Sequence, residues 1–216
     1  MNHKPLETFP SYVLQLPPWL PAYLRESPGI HETMADRMNM ILDLAQLNVK
    51  YQTGGPFAAG VFERSTHTLI SAGVNLVTST RASIAHAEIV AITLAQQTVG
   101  HHDLGADDRW QYELVTSTAP CAMCLGAIPW SGIRAVVCGA RDEDARAIGF
   151  DEGDKPVNWI DTLQGRGISV TQDIGRKQAA QILEEYAKAG GIIYNGRQGT
   201  QQENDHGHYP SDTKTR

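Results

Sequence analysis

Residues 112–140 read YELVTST, then APCAMCLGAIPWSG, then IRAVVCGA. The outer pieces are short apolar runs rich in β-branched residues, which predicts two strands with a helix between them. Two of the chain's three cysteines, Cys121 and Cys124, stand at the mouth of that helix behind Pro120. Such a pair could serve as a disulfide, a redox couple, a structural metal site or a catalyst. Cysteines at i and i+3 of a helix share a face. The free N–H groups and positive dipole end of a first helical turn favour thiolate over thiol. Pro120 suits a helix start, where its missing N–H would have no acceptor.

Upstream, Ala85–Gln97 reads as a second helix with Ile89, Ile92 and Leu94 along one stripe, and its mouth carries His86-Ala87-Glu88. One imidazole and two thiolates are the natural donors of Zn2+. Three protein ligands leave an open position, whereas a structural site is normally closed by a fourth. Cys138 could be that fourth, but its place in the strand AVVCGA marks it as a buried, inert thiol. Water at an open zinc position has its pKa lowered to roughly 7. Glu88, two residues from His86, is placed to carry its proton, so the set reads as a hydrolytic centre. A disulfide or redox role finds no support in the surrounding sequence.

Around this core, residues 30–50 read as a helix through Met34, Met38, Ile41, Leu42, Ala45 and Val49. GGPFAAGVFER (54–64) and HTLISAGVNLV (67–77) read as two strands joined by a turn near Ser65. ISVTQDI (168–174) supplies a fifth strand, and KQAAQILEEYAKAG a last helix with a glycine C-cap. The alternation predicts an α/β fold: a three-layer α/β/α sandwich around a mixed five-stranded sheet. Residues 1–28, with PPWLP, read as an extended N-terminal arm whose Trp19, Leu20 and Tyr23 pack on the body or on a second subunit. Residues 29–195 form the domain, and 196–216 a polar tail expected to be disordered.

Composition narrows the function. With 18 basic and 24 acidic residues, the net charge of −6 disfavours a nucleic-acid partner and suits a small uncharged substrate. No apolar run approaches the roughly 20 residues of a membrane helix. The N-terminus lacks the pattern of a secretory signal. Three cysteines are no disulfide scaffold, which predicts a reducing, cytoplasmic setting.

H-x-E followed by P-C-x-x-C is the signature of the zinc nucleobase deaminases. The chain resembles that cytidine deaminase-like superfamily over residues 54–175. The resemblance implies zinc held by His86, Cys121 and Cys124, with Glu88 as proton shuttle and not a ligand. Within the superfamily, PCAMCLGAIPWSGI, GGPFAAGVFER, AGVNLV and AIGFDEG are most similar to segments of bacterial guanine deaminases. That likeness implies a base pocket walled by Phe57 and Trp130, with Asn75 holding the ring. It also implies a second carboxylate near the exocyclic amine, at Glu152, with Asp151 as its neighbouring candidate. In that family a C-terminal segment, exchanged between the subunits of a homodimer, closes the site with an aromatic residue. GIIYNGRQG offers Tyr194 for this. Ala119 departs from the glutamate many relatives carry before Pro-Cys, with no ligand lost. The implied reaction is guanine to xanthine and ammonia. Rival substrates are cytosine, an aminotriazine and tRNA adenosine, and a non-catalytic zinc module is the rival of another class.

Overall fold

The computed structural model describes residues 12–195. Its sheet holds β1 (Ala58–Glu63), β2 (Leu69–Val74), β3 (Tyr112–Thr118), β4 (Ala135–Ala140) and β5 (Ser169–Thr171), in the order β2-β1-β3-β4-β5. β1 runs antiparallel to β2 and β3, while β3, β4 and β5 are parallel. The connections explain the mixture. A tight turn suffices between β1 and β2, whereas parallel strands need crossovers. Helix α5 (Ala122–Ser131) joins β3 to β4; α6 (Asp142–Ala147) and α7 (Trp159–Gln164) join β4 to β5. The β1–β2 turn closes on Glu63, whose carboxylate accepts hydrogen bonds of 2.6–3.0 Å from the backbone N–H and hydroxyl groups of Ser65 and Thr66.

Strand alternation divides the core in two. Ala58 and Phe62 of β1 join one apolar cluster with α1 (Trp19–Glu26), α2 (Met34–Lys50) and α8 (Arg176–Lys188). Ala59 and Val61 join another with α4 (Ala87–Val99), α5 and α7. Both faces of the sheet are therefore covered, which gives the expected three-layer sandwich. It also explains why β3 and β4 are buried along their whole length. A short helix, α3 (Val77–Thr80), follows β2. Gly73 of β2 lies so close to the Ala87 carbonyl that a Cβ would collide with it, so glycine lets the start of α4 sit against the sheet. The stripe read for residues 30–50 is real: Met38, Ile41, Leu42 and Ala45 are buried, and a Thr33–Asp36 capping box begins the helix.

The extended arm needs correcting. Residues 19–26 form α1, its Leu20 is 0% exposed, and the Trp19 indole N–H donates to the Thr53 hydroxyl at 3.0 Å. Pro17 and Pro18 precede the helix and Pro21 stands in its first turn. The N–H groups of that turn have no intrahelical acceptor, so prolines there do no harm. The polar tail 196–216 lies outside the described residues. Among the described residues no helix is long and apolar enough to cross a membrane.

Candidate active site

His86 is the N-cap of α4 and Cys121 the N-cap of α5, both in extended backbone. Pro120 therefore stands just before the helix rather than as its first residue. Cys124 follows three residues on, buried in the first turn of α5. The ligand atoms of His86, Cys121 and Cys124 lie within 4.8 Å of one another. Cys121 Sγ is 3.5 Å from His86 Nδ1. Donors on a tetrahedral zinc, at about 2.3 Å for sulfur and about 2.0–2.1 Å for nitrogen, stand about 3.6 Å apart. The donor set thus fits zinc in both kind and spacing. Cys138, 1% exposed in β4, stands outside the cluster, and burial pushes its thiol up to about 12.

Charge at the cluster is strongly coupled. The Cys121 thiol falls to about 4, chiefly because the Cys124 thiol hydrogen-bonds to it, with His86 assisting against burial. The same contact drives Cys124 well up, with burial adding to it. Burial works against a charged His86, but the Cys121 hydrogen bond and nearby carboxylates raise it above its ordinary value. Cys121 is the ready thiolate of the pair.

Two carboxylates share the site. Glu88, the second residue of α4, is 7% exposed, and burial and then Cys121 raise its pKa. Glu152 is 5% exposed in the loop after α6, and burial, Cys121, Asp142 and Glu88 push it up to about 8. Its backbone carbonyl accepts from Ala122 N–H at 2.9 Å, which ties the loop to the start of α5. Asp151 also borders the cavity, but it is exposed and its carboxylate turns back to accept from Gly153 N–H at 2.9 Å. Glu152 is the carboxylate the fold buries.

These groups open onto one cavity of 460 Å³, also lined by Phe57, Asn75, Phe150, Tyr194 and Asn195. Asn75 is 1% exposed, and its Oδ1 accepts from Val77 N–H at 3.2 Å, leaving the amide NH2 to a ligand. Buried Asn48 donates to the carbonyls of Gly55 and Asn75 at 2.8 and 2.9 Å and so fixes both ends of this wall. Phe57 and Tyr194 stack edge-on against Phe150 at 4.9 and 5.2 Å. The Tyr194 hydroxyl is buried without a partner among the described residues, and its ring sits where only glycine fits at position 55.

Trp130 is not part of this wall. It is 86% exposed at the end of α5 and does not line the cavity. Six residues beyond Cys124, it points about 120° away from it around the helix at about 100° per residue. Phe150, Asn48 and Asn195, whose amide joins Gly149 and Asp151 at 2.9 Å, add to the residues that the sequence motifs mark. Phe150 had a signal, being the apolar residue beside Asp151, whereas the two asparagines had none.

Fold, donor set and paired carboxylates together define a zinc-dependent aminohydrolase. The family model for the cytidine and deoxycytidylate deaminase zinc-binding region matches residues 31–140, and the chain belongs to this family. It is 39% identical over 155 residues to guanine deaminase of Bacillus subtilis, covering 69% of this chain and 92% of that protein. The solved structure of guanine deaminase from Nitrosomonas europaea is similar at 46% identity and a TM-score of 0.78, covering 82% of this chain and 97% of that one. A protein solved in complex with 2,6-diaminopurine is similar at 48% identity and a TM-score of 0.79, covering 85% and 96%.

Proposed function

We propose that this chain hydrolyses guanine to xanthine and ammonia, within residues 29–195, in the cytoplasm. The observation that carries the reading is one mostly apolar cavity in which His86, Cys121, Glu88, Glu152 and Asn75 converge, with Cys124 buried behind them. Such a cavity suits a small planar ring held by few polar groups. Relatives named guanine deaminase support the choice of base.

His86, Cys121 and Cys124 would hold the zinc, which when bound would supply a nucleophile at neutral pH. Glu88 is the proton carrier, taking up the proton released on attack and passing it to the ring nitrogen beside the reacting carbon. Its raised pKa suits a group that must both take and give a proton. Glu152 faces the exocyclic amine, and its burial favours the protonated form, so it can donate to the departing amine. Asn75 offers its NH2 to a ring acceptor. Phe57 and Phe150 wall the ring, and Tyr194 covers it and shuts out water.

The reading includes a homodimer. α5 is apolar on every side, as suits a buried helix, yet Trp130 at its end is 86% exposed. An exchange of C-terminal segments between subunits would bring a Tyr194 to the same seat. The deciding assay is ammonia release from guanine, cytosine, adenine, their nucleosides and aminotriazines. Guanine is expected to turn over fastest, and release from a nucleoside but no free base would overturn the assignment.

A further inference from the structure

Lys155 is a buried ammonium that does not line the cavity. Its side chain is 3% exposed, its Nζ donates to Asp142 at 2.7 Å, and it sits 4.0 Å from the centre of the Trp159 ring. Asp142 opens α6 directly after β4, and Trp159 opens α7. The ammonium therefore ties the segment 148–158, which contains Glu152 and has no regular structure, back to the first residues of the helices on either side of it.

A stability role explains this poorly. Burying an ammonium against a single carboxylate brings little or no gain over an apolar side chain of the same volume. What the staple adds is position. Within the segment, Glu152 is held on one side by the Ala122 N–H and Gly153 by the Arg146 guanidinium at 3.2 Å. Both bonds use backbone carbonyls, and Asn195 ties the segment ahead of Glu152 through Gly149 and Asp151, each at 2.9 Å. Beyond Gly153 the side-chain anchor is Lys155, three residues from the carboxylate.

We propose that Lys155 is a positioning residue for the reaction: clamped between Asp142 and Trp159, it keeps the Glu152 carboxyl aimed into the cavity. The inference rests on the deaminase reading for its kinetic arm only. Misplacing a reacting group by about 1 Å can lower a rate roughly 100-fold. An interaction used mainly in the transition state is lost from kcat and not from KM.

The test uses the zinc-loaded full chain and two readouts, amide hydrogen exchange of residues 149–157 and steady-state ammonia release from guanine. Lys155→Met should speed exchange in that segment by more than in the rest of the chain. It should also lower kcat about 10- to 100-fold, with KM within about twofold. Lys155→Arg keeps a cation for Asp142 and the indole, and should restore both readouts to within about threefold. Should Lys155→Met fail to fold, Asp142→Asn should loosen the same segment with a smaller fall in kcat. Wild-type exchange and kcat in Lys155→Met would overturn the clamp, as would an arginine variant as impaired as the methionine one. If the unmutated chain releases no ammonia from guanine, the substrate assignment fails. The exchange measurement then decides the clamp alone, unchanged exchange counting against it.

Discussion

Glu88 and Glu152 are both buried carboxylates beside thiols, yet they are held differently. Glu88 rides on a helix start packed against Gly73, whereas Glu152 hangs from a loop. Glu88→Gln is isosteric and leaves the three zinc donors untouched. It should keep zinc, as read by metal analysis, and lose at least about 100-fold in ammonia release. Retained activity would remove Glu88 from proton transfer. Trp130→Ala, by contrast, should leave KM for guanine within about twofold, because the ring stands outside the cavity. The contrast shows what was legible at this scale. His86, Glu88, Cys121 and Cys124 announce themselves because zinc chemistry restricts both residue type and spacing. Trp130 misleads because helix phase, not proximity in sequence, decides which way a side chain points. Asn48 and Asn195 act by bonding to distant backbone, and nothing local in the chain marks that.

At the scale of elements, β3 and β4 were readable to their end residues, since continuous β-branched runs between turn residues allow little else. Helix α1 was not, because its prolines read as breakers until their place in the first turn is known. Leu20→Ala should cost about 2–5 kcal/mol in denaturant unfolding, as for a fully buried leucine. A cost under about 0.5 kcal/mol would make α1 a loose appendage. The β1–β2 turn carries its own test. Burial of Glu63 opposes its charge, but the hydroxyls of Thr66 and Ser65 and their backbone N–H groups outweigh this and hold its pKa down to about 2. A depressed carboxylate contributes stability that is present above its unfolded pKa of about 4.3 and lost as pH falls toward 2. Glu63→Gln should therefore lower stability by about 2 kcal/mol at pH 7, with the gap to wild type closing below pH 4. A gap that is the same at pH 7 and pH 3 would show that the hydrogen bonds, and not the charge, matter.

At the scale of the molecule, the end of α5 presents a large apolar side chain its core does not explain, Trp130, 86% exposed. If subunits join there, Trp130→Glu should shift sedimentation from dimer to monomer while each subunit keeps its zinc. A wild-type chain that sediments as a monomer would leave Tyr194 to close its own cavity unaided. Chelation should abolish ammonia release and added zinc restore it, since the three donors meet only in the folded chain. The three-layer architecture itself followed from the alternation of apolar runs. The meeting of His86 with Cys121, 35 positions apart, did not. It depends on α4 and α5 starting on one side of the sheet.

The cation resting on Trp159 also has a spectroscopic meaning. The chain has four tryptophans, none of which lines the cavity, and among the described residues only Trp159 has an ammonium against its ring. Its emission is the one that a nearby fixed charge perturbs. The difference spectrum between the chain and its Lys155→Met form thus isolates a single indole at the root of the Glu152 loop.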